Sequence, residues 1–250
     1  GSEMCIRDRY NTNKIIYIRK YIMETEIIES VGNTILETNK DMLMDISEIG
    51  IDFVFDESPL LELPIVKTVY SITKTGLAIR DRHLLSKVLT FINKLNNNNL
   101  ESEEYEKYRQ KLKQKDNFVY NELEYITIIL DRIVQKEKAI ILANLYSAYI
   151  NKKITFIEFQ NYSLVLDNFM LCDKQNLYLL YQHDCQLRDM QDSYGTASRL
   201  ISLGLAYNLT GYRRNPLTNN ISFNPPANDV SITEFGKKFY QYGFMEEKIK

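Results

Sequence analysis

Apolar residues recur at helical spacing through most of this chain. Ile27, Ile28, Val31 and Ile35 repeat at three and four positions, as do Ile46, Ile49 and Phe53, with a break near Thr38–Asp41. The spacing predicts two short helices between Glu24 and Phe55. Ser58-Pro59 signals a helix entry, and Pro64 moves the regular start to about Ile65. Ile65, Val69, Ile72, Gly76 and Ile79 then line one face, with Lys67, Ser71 and Lys74 on another. The charged run Arg80–Arg82 interrupts as a polar hinge, and Leu84–Leu95 resumes the helix until it stops in Asn96–Asn99. Glu101–Lys115 is almost entirely polar. Its Glu103 and Lys107 sit four apart in the favourable order, which predicts an exposed helix.

Phe118–Ile150 carries two further helices, the first with Leu123, Ile126, Leu130 and Val134 on one stripe. Thr155 and Glu158 form a T-x-x-E capping box ahead of Phe159–Leu171. Asp173 is placed to cap a following helix that runs through Leu187. Short loops between such helices imply antiparallel neighbours, as in a bundle.

The pattern changes after Gln191–Gly195, the one plausible boundary. Arg199–Tyr207 reads R-L-I-S-L-G-L-A-Y, in which an apolar helix ends at Gly204, and a Gly/Asn/Pro-rich stretch follows. Ser231–Glu234 then opens a closing helix. Helix, hairpin, helix is the order of the second half of a winged-helix module. The strands expected are Ala206–Leu209 and Ile221–Phe223, with Arg213-Arg214-Asn215-Pro216 as the exposed turn between them. Tyr207, Phe223, Phe235 and Phe239 are expected to cover a small core beneath.

Composition adds bounds. Hydrophobic residues are 44% and charged residues 26%, near the globular average, and the formal net charge is −2. That balance gives no global attraction to nucleic acid or to an anionic membrane. Ser2–Arg9 reads like the translation of a transposase adapter used in sequencing libraries, and Tyr10–Ile22 like translated upstream sequence, so Met23 is the expected start. The alternative is a basic amphipathic leader at Lys14–Lys20. Outside the adapter-like run the cysteines are Cys172 and Cys185, without framework spacing, which fits a reducing cytoplasm and two buried structural thiols.

The stretches E-L-P-I-V-K-T-V-Y-S-I-T-K-T-G from Glu62, I-R-D-R-H from Ile79, E-L-E-Y-I-T-I-I-L-D-R from Glu122 and A-N-L-Y-S-A-Y-I from Ala143 resemble an uncharacterised family of helical proteins from gut bacteria. The closing I-T-E-F-G-K-K-F adds to the resemblance, which covers most of the chain after Met23. It implies an architecture and no catalytic residues.

Candidate chemistry is sparse. Cys172, Asp173, His183, Asp184 and Cys185 are zinc-ligand types. Along one helix, however, Cys172 and His183 would lie about 16 Å apart, so no metal site is expected. His83 and His183 are the only histidines, and no nucleophile-elbow, Walker A or dinucleotide-binding motif is present. No catalytic residue or cofactor is expected. Asp131 and Asp167 each end an aliphatic run, and with Arg80 and Arg132 they form a candidate structural polar cluster. A carboxylate pair with one raised pKa is the alternative. Leu60–Ile79 is about as long as a bilayer is thick, but Glu62, Lys67 and Lys74 oppose insertion, so a core helix is expected.

Any nucleic-acid contact would use Arg199, Arg213, Arg214, Lys237 and Lys238. From Asp184 to Lys250 there are 8 Lys+Arg and 7 Asp+Glu, a difference of only +1, so such binding would be weak.

These readings imply a mainly α protein: a helical bundle over 23–190 and a small winged-helix-like α/β module over 191–250, with 1–22 outside the fold. The expected role is a non-enzymatic bacterial scaffold or regulator in the cytoplasm, working through a protein partner or self-association, in a stress or phage-defence setting. The alternatives are a nucleic-acid-binding regulator using the C-terminal module, and a membrane-active effector that releases 60–79.

Overall fold

The computed structural model describes residues 25–38, 59–72, 79–99, 102–182, 193–208, 212–214, 221–223 and 230–244. It is mainly helical. Helix α1 covers residues 25–37, a 3-10 turn covers Pro59–Glu62, and α2 to α5 are Pro64–Ile72, Ile79–Asn99, Glu103–Lys113 and Asn117–Arg132. Then come α6 Glu137–Ile150, α7 Phe156–Asn168, a 3-10 turn Leu171–Asp173, α8 Lys174–Gln182 and α9 Ser193–Ser202. Four short strands follow, β1 Ala206–Asn208, β2 Tyr212–Arg214, β3 Ile221–Phe223 and β4 Val230–Ile232, before α10 Glu234–Phe244. The chain divides into two compact units, Gly1–Ala143 and Asn144–Lys250.

In the first unit, Val31 and Ile35 of α1 are buried with Ile65 and Val66 of α2. Pro64 occupies the first helical position of α2, where its missing N–H costs nothing. The charged run Arg80–Arg82 belongs to α3, where Asp81 lies in the first turn, favourable to the helix dipole. Residues 73–78, which include Gly76, lie outside the described residues, as do the side chains of Ile72, Ile79 and Arg80. Helix α4 carries the expected Glu103–Lys107 pair at 2.8 Å. It is not simply exposed, because Tyr105 and Tyr108 are buried with their rings 5.9 Å apart. Two tyrosines three positions apart suffice to seat an otherwise polar helix. In α5, Leu123, Ile126 and Leu130 are buried as their stripe predicts. Val134 is not: the helix ends at Arg132, so the periodicity stops and Val134 stands 87% exposed.

Helix ends in this unit are satisfied across the fold. The Arg109 guanidinium donates to Leu36 O at 2.8 Å, at the end of α1. The buried Lys87 ammonium, carried on α3, donates to Ile133 O at 2.6 Å and Asp131 O at 3.3 Å, at the end of α5. Cations suit these positions because the last carbonyls of a helix lack intrahelical donors and carry its negative dipole end.

In the second unit, Thr155 caps α7 by the reciprocal box expected. Glu158 N–H donates to Thr155 Oγ1 at 3.2 Å, and Thr155 N–H donates to Glu158 Oε2 at 2.9 Å. The core here is aromatic. Tyr146 and Phe159 lie 5.2 Å apart, Tyr162 and Phe235 4.7 Å, and Phe169 and Phe239 5.7 Å edge-on. Phe235 and Phe239 therefore seat α10 on α7 and the turn after it. Tyr207 is exposed rather than covering a small core, and the Phe223 side chain lies outside the described residues.

The strands pair differently from expectation. β1 pairs antiparallel with β4, Ala206 opposite Ile232, while β2 pairs antiparallel with β3, Tyr212 opposite Phe223. Arg213 and Arg214 thus lie in a strand rather than in the turn, and β3 pairs with the strand that holds them rather than with β1. Ser231 is likewise a strand residue, and the closing helix begins at Glu234. The β2–β3 pair is nested within the β1–β4 pair along the chain.

Candidate contact surfaces and the fate of the predicted cations

Helix α9 ends in a Schellman turn. Gly204 adopts φ +71, Gly204 N–H donates to Ile201 O and Leu205 N–H to Leu200 O, each at 2.9 Å. This turn is clasped from the other side by Thr233. Its hydroxyl donates to Gly204 O at 2.7 Å and accepts from Gly236 N–H at 2.8 Å, while its own N–H donates to Leu205 O at 3.0 Å. The T-E-F-G run of the closing segment is therefore a cap and a close crossing point.

One turn earlier on α9 lies a buried polar knot. Asp173 keeps 1% of its surface exposed. Arg199 meets it with a fork: Nε donates to Oδ2 at 2.7 Å and Nη2 to Oδ1 at 2.6 Å. Thr196 Oγ1 donates to Oδ1 at 3.0 Å, and the buried Asn176 amide donates to Thr196 Oγ1 at 3.3 Å. Burial pushes the Asp173 carboxyl up, but the bonds from Arg199 and Thr196, with the Arg199 charge, outweigh it and hold the pKa below its usual value. The carboxylate expected to cap α8 is thus turned toward α9.

The candidate nucleic-acid contacts can now be placed. Arg199 is committed to Asp173, with a third of its side chain in water (33%). Lys238 donates to Glu158 Oε1 at 2.9 Å, joining α10 to α7, and Lys237 donates to Glu234 Oε1 at 3.0 Å within α10. Arg213 and Arg214 are adjacent in β2, and their side chains lie outside the described residues. Among the described side chains, Arg199, Lys237 and Lys238 each meet a carboxylate of their own unit.

The proposed polar cluster divides between the units. Asp131 and Arg132 end α5 in the first unit, and Asp167 lies near the end of α7 in the second. Both aspartates are half-buried. Cys172 is exposed rather than buried, while His183, Asp184 and Cys185 lie outside the described residues. Among the described residues no group of three or more His, Cys, Asp or Glu could hold a metal ion. Among them too, no helix is long and apolar enough to cross a membrane.

Several large apolar side chains also stand on the surface. On α5, Phe118 and Ile128 face outward, and Val134 follows. On α7, Ile157 is 70% exposed and Leu164 46%, with Met170 exposed just beyond the helix. Sequence reasoning missed these positions because on both helices exposed aliphatics interleave with buried ones. The periodicity marks a helix but not which side meets the core. Lys87 and Arg109 escaped for a related reason: each caps a helix distant in sequence. No protein-family model, curated protein or solved structure matches this chain.

Proposed function

We propose that this protein is a non-enzymatic scaffold or regulator that works through protein contacts, in the bacterial cytoplasm. The observation that carries the reading is the set of large apolar side chains left exposed, Ile157, Leu164 and Met170 on and just after α7, with Phe118 and Ile128 on α5 in the other unit. Apolar side chains exposed next to one another, as Ile157 and Leu164 are with Met170 beyond them, mark a candidate contact site. The described candidate cations point the same way: Arg199, Lys237 and Lys238 each bind a carboxylate of their own chain. We read Ser193–Phe244 as winged-helix-like, on the strength of its helix–strand–hairpin–strand–helix order. In this reading its role is architectural, since α10 packs by Phe235 and Phe239 into the aromatic core.

The test is a photoreactive side chain placed at Ile128 or at Ile157 of the full chain, activated in the cells that make it. Discrete protein adducts are expected. In parallel, a mixed-sequence DNA duplex at physiological salt is expected to bind no tighter than about 10 µM, in the non-specific range. Submicromolar binding to one DNA sequence, lost in Arg213→Ala/Arg214→Ala, would make the nucleic-acid alternative the correct one.

A further inference from the structure

We propose that the outward face of α7 is a homotypic contact that pairs two copies of this chain in parallel; this rests on the protein-contact reading above and names the partner. The exposed positions of α7 are Ile157, Asn161, Leu164 and Asn168. They are spaced four, three and four apart, the spacing of a coiled-coil seam with Ile157 and Leu164 at d and the asparagines at a. The opposite face, Phe159, Tyr162, Ser163 and Leu166, is buried in the unit's own core. So α7 presents a second, complete seam to the outside.

The chemistry of the seam selects its occupant. None of its four positions is charged, so an acidic or basic partner finds no ionic handle there. Two of the four are amides, and an apolar groove covering them would leave amide groups without partners, a costly arrangement. An antiparallel second copy sets Asn161 against Leu164 and Asn168 against Ile157, with the same defect. A parallel second copy sets Asn161 against Asn161 and Asn168 against Asn168. Each amide carries both donors and an acceptor, so it satisfies its twin across the axis. Asn168 already gives one N–H to Leu164 O at 3.1 Å, which makes Asn161 the register-setting pair. At the flanks, Gln160 of one copy faces Val165 of the other, so no acid meets an acid. The seam is about 18 Å long. That is short for a permanent interface, so the dimer is weak and concentration-dependent.

The experiment uses the full chain with Cys5, Cys172 and Cys185 replaced by Ser. Asn161→Cys is placed in one variant and Asn121→Cys, exposed on α5, in another. Under mild oxidation Asn161→Cys is expected to form a disulfide-linked dimer much faster than Asn121→Cys. In sedimentation, Leu164→Asp, an exposed change, is expected to weaken wild-type dimerisation by about tenfold or more. Wild-type chain that stays monomeric at about 100 µM, or Asn161→Cys that links no faster than Asn121→Cys, overturns the pairing. A monomeric chain that still forms photo-adducts with other proteins at Ile128 or Ile157 overturns the pairing alone. Absence of adducts at both positions overturns the wider protein-contact reading.

Discussion

Ile65 N–H donates to Thr34 Oγ1 at 3.0 Å, across a separation of 31 residues, with both residues buried. Thr34 thereby supplies the N-cap that Leu63, which has no side-chain acceptor, does not give to α2. The threonine stays within α1 while doing so, its hydroxyl donating back to Ser30 O at 2.7 Å. Thr34→Val keeps the shape and removes the acceptor, leaving a buried amide unpaired. The expected loss is about 1–3 kcal/mol, with Thr34→Ser close to wild type. Urea unfolding of both variants checks it, and equal losses would show that packing rather than the hydroxyl matters.

The Asp173–Arg199 fork sets a second expectation. Arg199→Ala leaves a buried carboxylate without its cation. Loss of a buried partner costs about 3–5 kcal/mol. The part of Arg199 in water reduces this to roughly 2–3 kcal/mol. Because the folded Asp173 pKa lies below its unfolded value, its stabilisation is fully present above about pH 4 and is lost as pH falls further. Asp173→Asn should therefore flatten the fall of melting temperature with acid below about pH 4. An unchanged acid limb would place the pH sensitivity elsewhere.

Gly236 is buried on α10 where it crosses the turn that leads into β1. A Cβ there would lie 2.1 Å from Leu205 O and 2.9 Å from Leu205 C, both backbone atoms. Helix propensity alone favours alanine by about 1 kcal/mol. The clash outweighs it, because the crossing is held by Thr233 on both sides. Gly236→Ala is expected to destabilise by about 3 kcal/mol or more, read as a drop in thermal midpoint. A neutral result would mean that α10 can lift from β1 at little cost.

Two other helices end like α9 but without glycine. Lys115 (φ 53) closes α4 and Lys152 (φ 59) closes α6, each in the left-handed conformation of a Schellman turn. A non-glycine residue there carries a conformational cost of about 1–2 kcal/mol. Lys152 is exposed, so Lys152→Gly should raise stability by up to about 1 kcal/mol in chemical unfolding. A decrease would show that the interactions of Lys152 outweigh the strain.

The sequence alone was enough for features whose cause is local. The T-x-x-E box at Thr155, the Glu103–Lys107 pair, the Pro64 entry and the glycine stop at Gly204 each act within one or two turns, and each is present. Helical periodicity likewise placed α5, α6 and α7 to within a few residues. Tertiary structure decided what depends on partners distant in the chain. Whether an aliphatic on a helix is core or surface depends on which neighbour arrives, so Leu130 of α5 is buried while Ile128 is not. A cation looks the same in sequence whether it meets a phosphate, a helix end or an internal carboxylate, and folding gave Arg199 to Asp173, Lys238 to Glu158 and Lys87 to the end of α5. Strand pairing is a choice among distant three-residue segments, and it set β1 against β4 and put Arg213 and Arg214 into a ladder. Local pattern reports conformation because backbone dihedrals are local; partner choice is a long-range competition that only the assembled chain resolves.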